Sequence, residues 1–104
     1  MRHRKDLNHD EIKNALEAIY GVDVIDTSQC GVPGFPDLCV GSIYTNKLML
    51  VEIKGKHGKL NDDQEKFHAK HPKYCCVVRT VDEARELVGD PSLELPDKPR
   101  SAGL

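Results

Sequence analysis

Asp37, Glu52 and Lys54 are the residues of this chain best placed to do chemistry, because each stands where a packed sheet normally excludes charge. Asp37 lies in an otherwise apolar segment, 36–41, that reads as a strand. Glu52 and Lys54 interrupt a second run, 48–54, that opens Leu48-Met49-Leu50-Val51. Strand geometry turns Glu52 and Lys54 to one face. A buried carboxylate without a compensating partner is costly, so charges here need a reason. If the two segments form an antiparallel hairpin, Asp37 and Glu52 share a face whenever paired positions sum to an odd number. A two-residue turn at Tyr44-Thr45 sets them directly opposite, and one at Thr45-Asn46 leaves them diagonal. Opposed Cβ atoms lie roughly 4.5–5.5 Å apart, close enough to share a divalent cation and too close for both carboxylates to stay ionised without one. Such an oxygen pair suits Mg²⁺ or Mn²⁺. Lys54, about 6.6 Å further along the strand than Glu52, would bring an ammonium to a water or phosphate there. The bland alternative is a salt-bridge cluster on a solvated sheet edge. Two neighbours weigh against it: Gly34, which permits close backbone approach, and the basic loop Lys56-His57-Gly58-Lys59, where an anionic backbone would pass.

The elements that must hold these residues follow from periodicity and caps. Ile12, Leu16 and Ile19 recur at helical spacing and predict an amphipathic helix over 10–20, stopped by Gly21. Residues 22–26 read as a short strand, and 27–34, with Gly31, Pro33 and Gly34, as a loop. After the hairpin, Asn61 with Gln64 three residues on has capping-box spacing and opens a helix that runs to about Lys70, before Pro72. Residues 74–79 predict a largely buried strand, and Thr80 with Glu83 opens a last helix ending at Gly89. The order α-β-β-β-α-β-α around a mixed four-stranded sheet defines an α/β domain over residues 1–90. Pro91, Pro96 and Pro99 leave 91–104 as a flexible tail.

With 104 residues the chain has room for one domain, and 38% hydrophobic against 31% charged residues is ordinary globular composition. No apolar stretch is long enough to span a bilayer, and the basic start 1–5 leads into no signal-peptide core, so a soluble cytoplasmic protein is expected. Cys75 and Cys76 are adjacent in an apolar run, while Cys30 and Cys39 have no zinc-ligand spacing; buried free thiols are the expectation. A formal charge of −2 looks wrong for a nucleic-acid binder. Its distribution matters more than its total. Residues 47–73 hold seven lysines against four acids, and 82–98 hold six acids against two bases, away from the proposed site.

Three strings, Gly34-Phe35-Pro36-Asp37-Leu38, Leu50-Val51-Glu52-Ile53-Lys54-Gly55 and Leu60-Asn61-Asp62-Asp63-Gln64-Glu65-Lys66-Phe67-His68, resemble the PD-(D/E)XK nuclease superfamily. The closer resemblance is to the small stand-alone VRR-NUC type carried by phages and bacteria, related to Holliday-junction resolvases. It covers about residues 10 to 90. It implies a restriction-endonuclease-like core and a metal-dependent DNA endonuclease, working in a bacterial or phage-infected cytoplasm and leaving a 5′-phosphate. Asp37 and Glu52 would ligate the metal with the Ile53 backbone carbonyl, and Lys54 would orient the attacking water and stabilise charge on the phosphate. Gln64 matches the helix glutamine near the site. Glu11, with Glu17 as its rival, matches an acidic position on the first helix that reaches the metal. Lys56, His57 and Lys59 are candidate DNA contacts; His68 is either another or an ordinary helix histidine. A homodimer is expected, since one small chain offers little surface to grip branched DNA. The alternative function is a module of the same fold that binds DNA ends or junctions without cutting.

Overall fold

The computed structural model describes residues 6–93. In chain order they form α1 (His9–Glu17), β1 (Val22–Asp26), β2 (Leu38–Ser42), β3 (Lys47–Ile53), α2 (Asp62–Lys70), β4 (Cys75–Val78), α3 (Val81–Leu87) and a 3-10 turn at Pro91–Leu93. The four strands make one mixed sheet in the order β1-β2-β3-β4. The first two pairings are antiparallel, and β3 runs parallel to β4, as a connection through α2 permits. This is the α/β class and element order expected from the sequence.

Register decides which side chains share a face. Leu38 pairs with Val51, Val40 with Met49 and Val24 with Val40, while Ile53 lies beside Val78. These residues line one face, and Ile12 and Leu16 of α1 with Ala84 and Val88 at α3 close over it to form the core. The other face carries Ile25, Cys39, Leu48, Leu50, Glu52 and Cys75 by alternation. Only part of that face is covered. Ile25 and Leu48 remain 55% and 64% exposed.

Several boundaries differ from expectation. The first helix starts at His9, which is buried, and ends at Glu17, because the chain tightens through an Ile19 N–H to Leu16 carbonyl bond and reverses at Gly21, where φ is +89°. The second strand starts at Leu38, so Asp37 lies just before it rather than within it. Pro36 has no N–H to give, and the last rung there is the Thr27 N–H donating to the Asp37 carbonyl at 2.8 Å. The hairpin is closed by four residues, 43–46, with Asn46 at φ +59°, and not by a two-residue turn. Its pairing nonetheless sums to 89, the value that sets Asp37 against Glu52. In that loop the Tyr44 hydroxyl donates to the Tyr20 carbonyl at 2.5 Å.

The last strand, at the edge of the sheet, is only half-buried, and none of the four free cysteines is fully buried: Cys39 and Cys75 face the partly open side, Cys76 packs against the core from the edge strand, and Cys30 is exposed in the loop after β1. Thr80 caps α3 as expected, but the Glu83 carboxylate reaches back to the Arg79 N–H rather than to that of Thr80. The chain stays structured past Gly89: Asp90 pairs with Arg85 at 2.9 Å and accepts from the Ser92 N–H in the turn that follows. Of the expected flexible tail, residues 94–104 lie outside the described residues, as do 1–5 with Arg2, Arg4 and Lys5.

Asn8 ties the ends of β3 and β4 together. Its side chain does not cap α1; its amide donates instead to the Lys54 carbonyl at 3.1 Å and the Arg79 carbonyl at 2.8 Å. Asn8→Ala should therefore cost about 1–3 kcal/mol in urea unfolding, the usual worth of two such bonds, while the conservative surface change Asn14→Ala should cost much less.

Candidate active site

Alternation sends Val51 and Ile53 into the core and turns Glu52 away from it, yet Glu52 is only 2% exposed. At the end of β3 it meets the start of α2, through Gln64. The sequence dictates that approach. Asn61 caps the helix through its side chain, accepting from the Gln64 N–H at 2.9 Å, and the Gln64 side-chain oxygen accepts from the Asn61 N–H, completing the box. The same Gln64 side chain uses its other end on the site: Nε2 donates to Glu52 Oε2 at 3.0 Å. Phe35 and Phe67, with ring centroids 5.1 Å apart, pack the helix against the loop before β2. Gly34 lets it come close. Its φ is +78°, and a Cβ there would overlap the Asp63 carbonyl.

Asp37 is positioned by three bonds. Thr27 holds the base of its loop, donating from N–H to the Asp37 carbonyl and from Oγ1 to the Pro36 carbonyl, each at 2.8 Å. Asp37 Oδ2 then accepts from the Ile53 N–H at 2.8 Å. The side chain thus takes over where the strand ladder stops, leaving Oδ1 available beside Glu52. Lys54 follows β3, anchored by its N–H to the Val78 carbonyl, and its Nζ lies 3.6 Å from Glu52 Oε2 at only 12% exposure.

The electrostatics of this group do not close. Glu52 Oε2 has Gln64 and Lys54, but Oε1 is buried with no hydrogen-bond partner. Burial, and then the Asp37 carboxylate beside it, push the Glu52 carboxyl up to about 8, against a smaller opposing pull from Lys54. With both carboxylates ionised, the single lysine beside Glu52 would leave the site negative, a charge that a divalent cation would neutralise.

Asp37, Glu52, Lys54 and Gln64 are therefore brought together, with the backbone of Ile53 among them. Glu11 is not. Among the described residues no third His, Cys, Asp or Glu joins the pair, and Glu11 is exposed on α1, whose Ile12 and Leu16 stripe packs on the opposite sheet face. Glu17 is likewise exposed, 3.9 Å from Lys13. Lys56, His57 and Lys59 are all exposed in the loop past Lys54. His68 turns inward instead: its Nε2 is buried without a partner, and burial, then the nearby Lys54 charge, lower its pKa and favour a neutral ring. Ser28 is occupied in a turn, bonded through N–H and Oγ to Asp26.

Two positioning residues carry no motif. Arg79 Nη1 donates to the carbonyls of Gly55 and Gly58 at 2.6 and 2.8 Å, pinning the base of the lysine loop, while Asn8 holds the Lys54 carbonyl. A charge at the end of an apolar strand was the only sequence signal for Arg79.

A family model described as VRR-NUC domain matches residues 2–82. A solved structure described as a VRR_NUC domain is similar at a TM-score of 0.61 and 26% identity, over 78% of this chain and 89% of that one. No curated protein matches the chain.

Gly34→Ala should cost about 1–3 kcal/mol from its left-handed backbone alone and, by displacing α2, should free Gln64 from Glu52; urea unfolding and solvent exchange at the Gln64 amide read the two effects. The raised Glu52 carboxyl also sets a pH dependence. The folded, metal-free protein holds a proton that the unfolded chain releases near 4.5, so the stabilisation is complete below about 4.5 and is lost as pH rises through about 8. In EDTA, unfolding free energy should fall across that window by an amount on the order of a few kcal/mol. Glu52→Gln should flatten the profile and be more stable than wild type at its alkaline end.

Proposed function

Because the chain belongs to the VRR-NUC domain family, a family of nuclease-type domains, we propose that it is a divalent-metal-dependent DNA endonuclease. The observation that carries this reading is Glu52: a buried carboxylate with one unpaired oxygen, set against Asp37 and beside Lys54. The donors fit a hard cation, since Glu52 Oε1 has no competing partner and Asp37 keeps one oxygen clear of the Ile53 N–H. Asp37 and Glu52 would hold Mg²⁺ or Mn²⁺, with the Ile53 backbone carbonyl as a further donor. When bound, the cation supplies Lewis-acid polarisation of the phosphate and lowers the pKa of a water.

The chain's own residues do the rest. Gln64 fixes Glu52 by its Oε2, which keeps Oε1 directed to the site. Lys54, desolvated beside Glu52, orients the attacking water and stabilises the negative charge that develops on the phosphate. The water oxygen forms a bond to phosphorus in line with the 3′-oxygen and gives up a proton to solvent; the bond from phosphorus to the 3′-oxygen breaks, the product carries a 5′-phosphate, and the 3′-oxygen is protonated from solvent. Lys56, His57 and Lys59 contact the DNA backbone from the loop that Arg79 pins. A homodimer acting on branched DNA, a four-way junction among the candidates, belongs to the same reading. Supporting it are the exposed Leu48 and Ile25 on the sheet face that carries Glu52.

Asp37→Ala and Lys54→Ala should each lower nicking of supercoiled plasmid in Mg²⁺ by at least about a hundredfold, as for loss of a transition-state contact worth a few kcal/mol. Wild-type rates in either variant, or DNA binding without any cleavage by the wild-type protein, would refute the enzyme. Sedimentation of wild type and Leu48→Glu reads the dimer: wild type should sediment as a dimer and Leu48→Glu as a monomer.

A further inference from the structure

A cavity of about 340 Å³ opens beside the site, between the 27–35 loop and the start of α2, with Asp37 and Gln64 forming its inner edge. That volume lies within the roughly 300–1,000 Å³ of small-molecule sites. Its lining is mixed. Val32, Pro33 and Phe35 offer an apolar wall, and Gln29 and Asn61 offer amide groups at the rim. At Gly31 the space is open, since a Cβ there would meet nothing within 4 Å.

The charges exclude a phosphate. Among the described residues no Lys or Arg lines the cavity, and its ionisable acids are Asp37 and Asp63. The lysines that suit a DNA backbone, Lys56 and Lys59, belong to the β3–α2 connection instead. A neutral, flat group with hydrogen-bonding edges fits this lining: one face against the apolar wall, donors toward carboxylate and amide oxygens. Next to a phosphodiester held at Asp37 and Glu52, that group is a nucleobase.

Building on the nuclease reading, the geometry points to this cavity as the site of one unpaired nucleobase next to the scissile phosphate. A base inside a duplex is stacked and paired and cannot enter, so extrusion would have to be driven at a cost of a few kcal/mol, whereas a base at a flap or gap is already free. The substrate class is DNA with an unpaired nucleotide beside the cleaved bond. Recognition is tolerant of base identity, because stacking on an apolar wall suits every base.

Cys30 reports on the cavity directly: it lines it, is exposed and carries a free thiol. Full-length protein in EDTA is treated with iodoacetamide, and Cys30 modification is followed by mass spectrometry. Two fluorescent DNAs of equal length are compared, one fully paired and one with a single-stranded flap, at concentrations that saturate anisotropy. The flapped DNA should slow Cys30 alkylation about tenfold or more relative to the paired DNA, the occupancy expected of a base contact worth over a kcal/mol. Equal slowing by both DNAs, no slowing, or no binding of the flapped DNA overturns the assignment. Cys30→Trp, which fills the cavity, should lower the flap-to-duplex cleavage ratio about tenfold, and an unchanged ratio in folded protein overturns it too. A wild-type protein that cleaves no DNA sinks the nuclease reading alone, since the alkylation comparison still decides the cavity.

Discussion

Placing Glu52 at 2% exposure, next to a second carboxylate and with one oxygen unpaired, is the constraint to which the surrounding structure answers. Removing a carboxylate from water is unfavourable unless hydrogen bonds and opposite charge replace the lost hydration. Here the replacement is partial. Gln64 and Lys54 satisfy Oε2, and nothing satisfies Oε1. The group therefore resists ionisation, and the fold carries a destabilised site that a cation of the right size and hardness would relieve. Such strain is characteristic of residues kept for chemistry rather than for stability.

Much of the scaffold serves to impose that burial. Core packing on one face fixes the register of β2 and β3, and the register fixes Asp37 against Glu52. The capping box of α2 does double duty, because the glutamine that stabilises the helix start also holds the Glu52 carboxylate. Gly34 permits the helix to sit that close. Helix stability, loop conformation and carboxylate orientation are thus coupled through a few residues, so a change at any one of them acts on the site without touching substrate.

The parts legible in the sequence were those with a local cause. The box at Asn61 and Gln64, the apolar run ending in Glu52 and Lys54, and the order of elements all rest on short-range pattern, and either two-residue turn, at Tyr44-Thr45 or Thr45-Asn46, has the odd pairing sum that places Asp37 and Glu52 on one face. The turn itself was not legible, because a four-residue loop with Asn46 at positive φ gives the same register as a two-residue turn. Glu11 was misplaced for a different reason: its helix position is set by Ile12 and Leu16, and the face they pack against is a tertiary fact. Asn8 and Arg79 act over sequence separations of 21 to 71 residues through bonds to backbone carbonyls, which leave no pattern in residue type. The inward turn of His68 is likewise invisible without the position of Lys54.

The central proposal is that Asp37 and the buried Glu52 hold a divalent cation. Titration of the metal-free protein with Mn²⁺, followed by electron paramagnetic resonance, tests that claim most directly. Wild type should take up one ion per chain, and Glu52→Gln should bind it at least about tenfold more weakly. Equal affinity in the two proteins would contradict it.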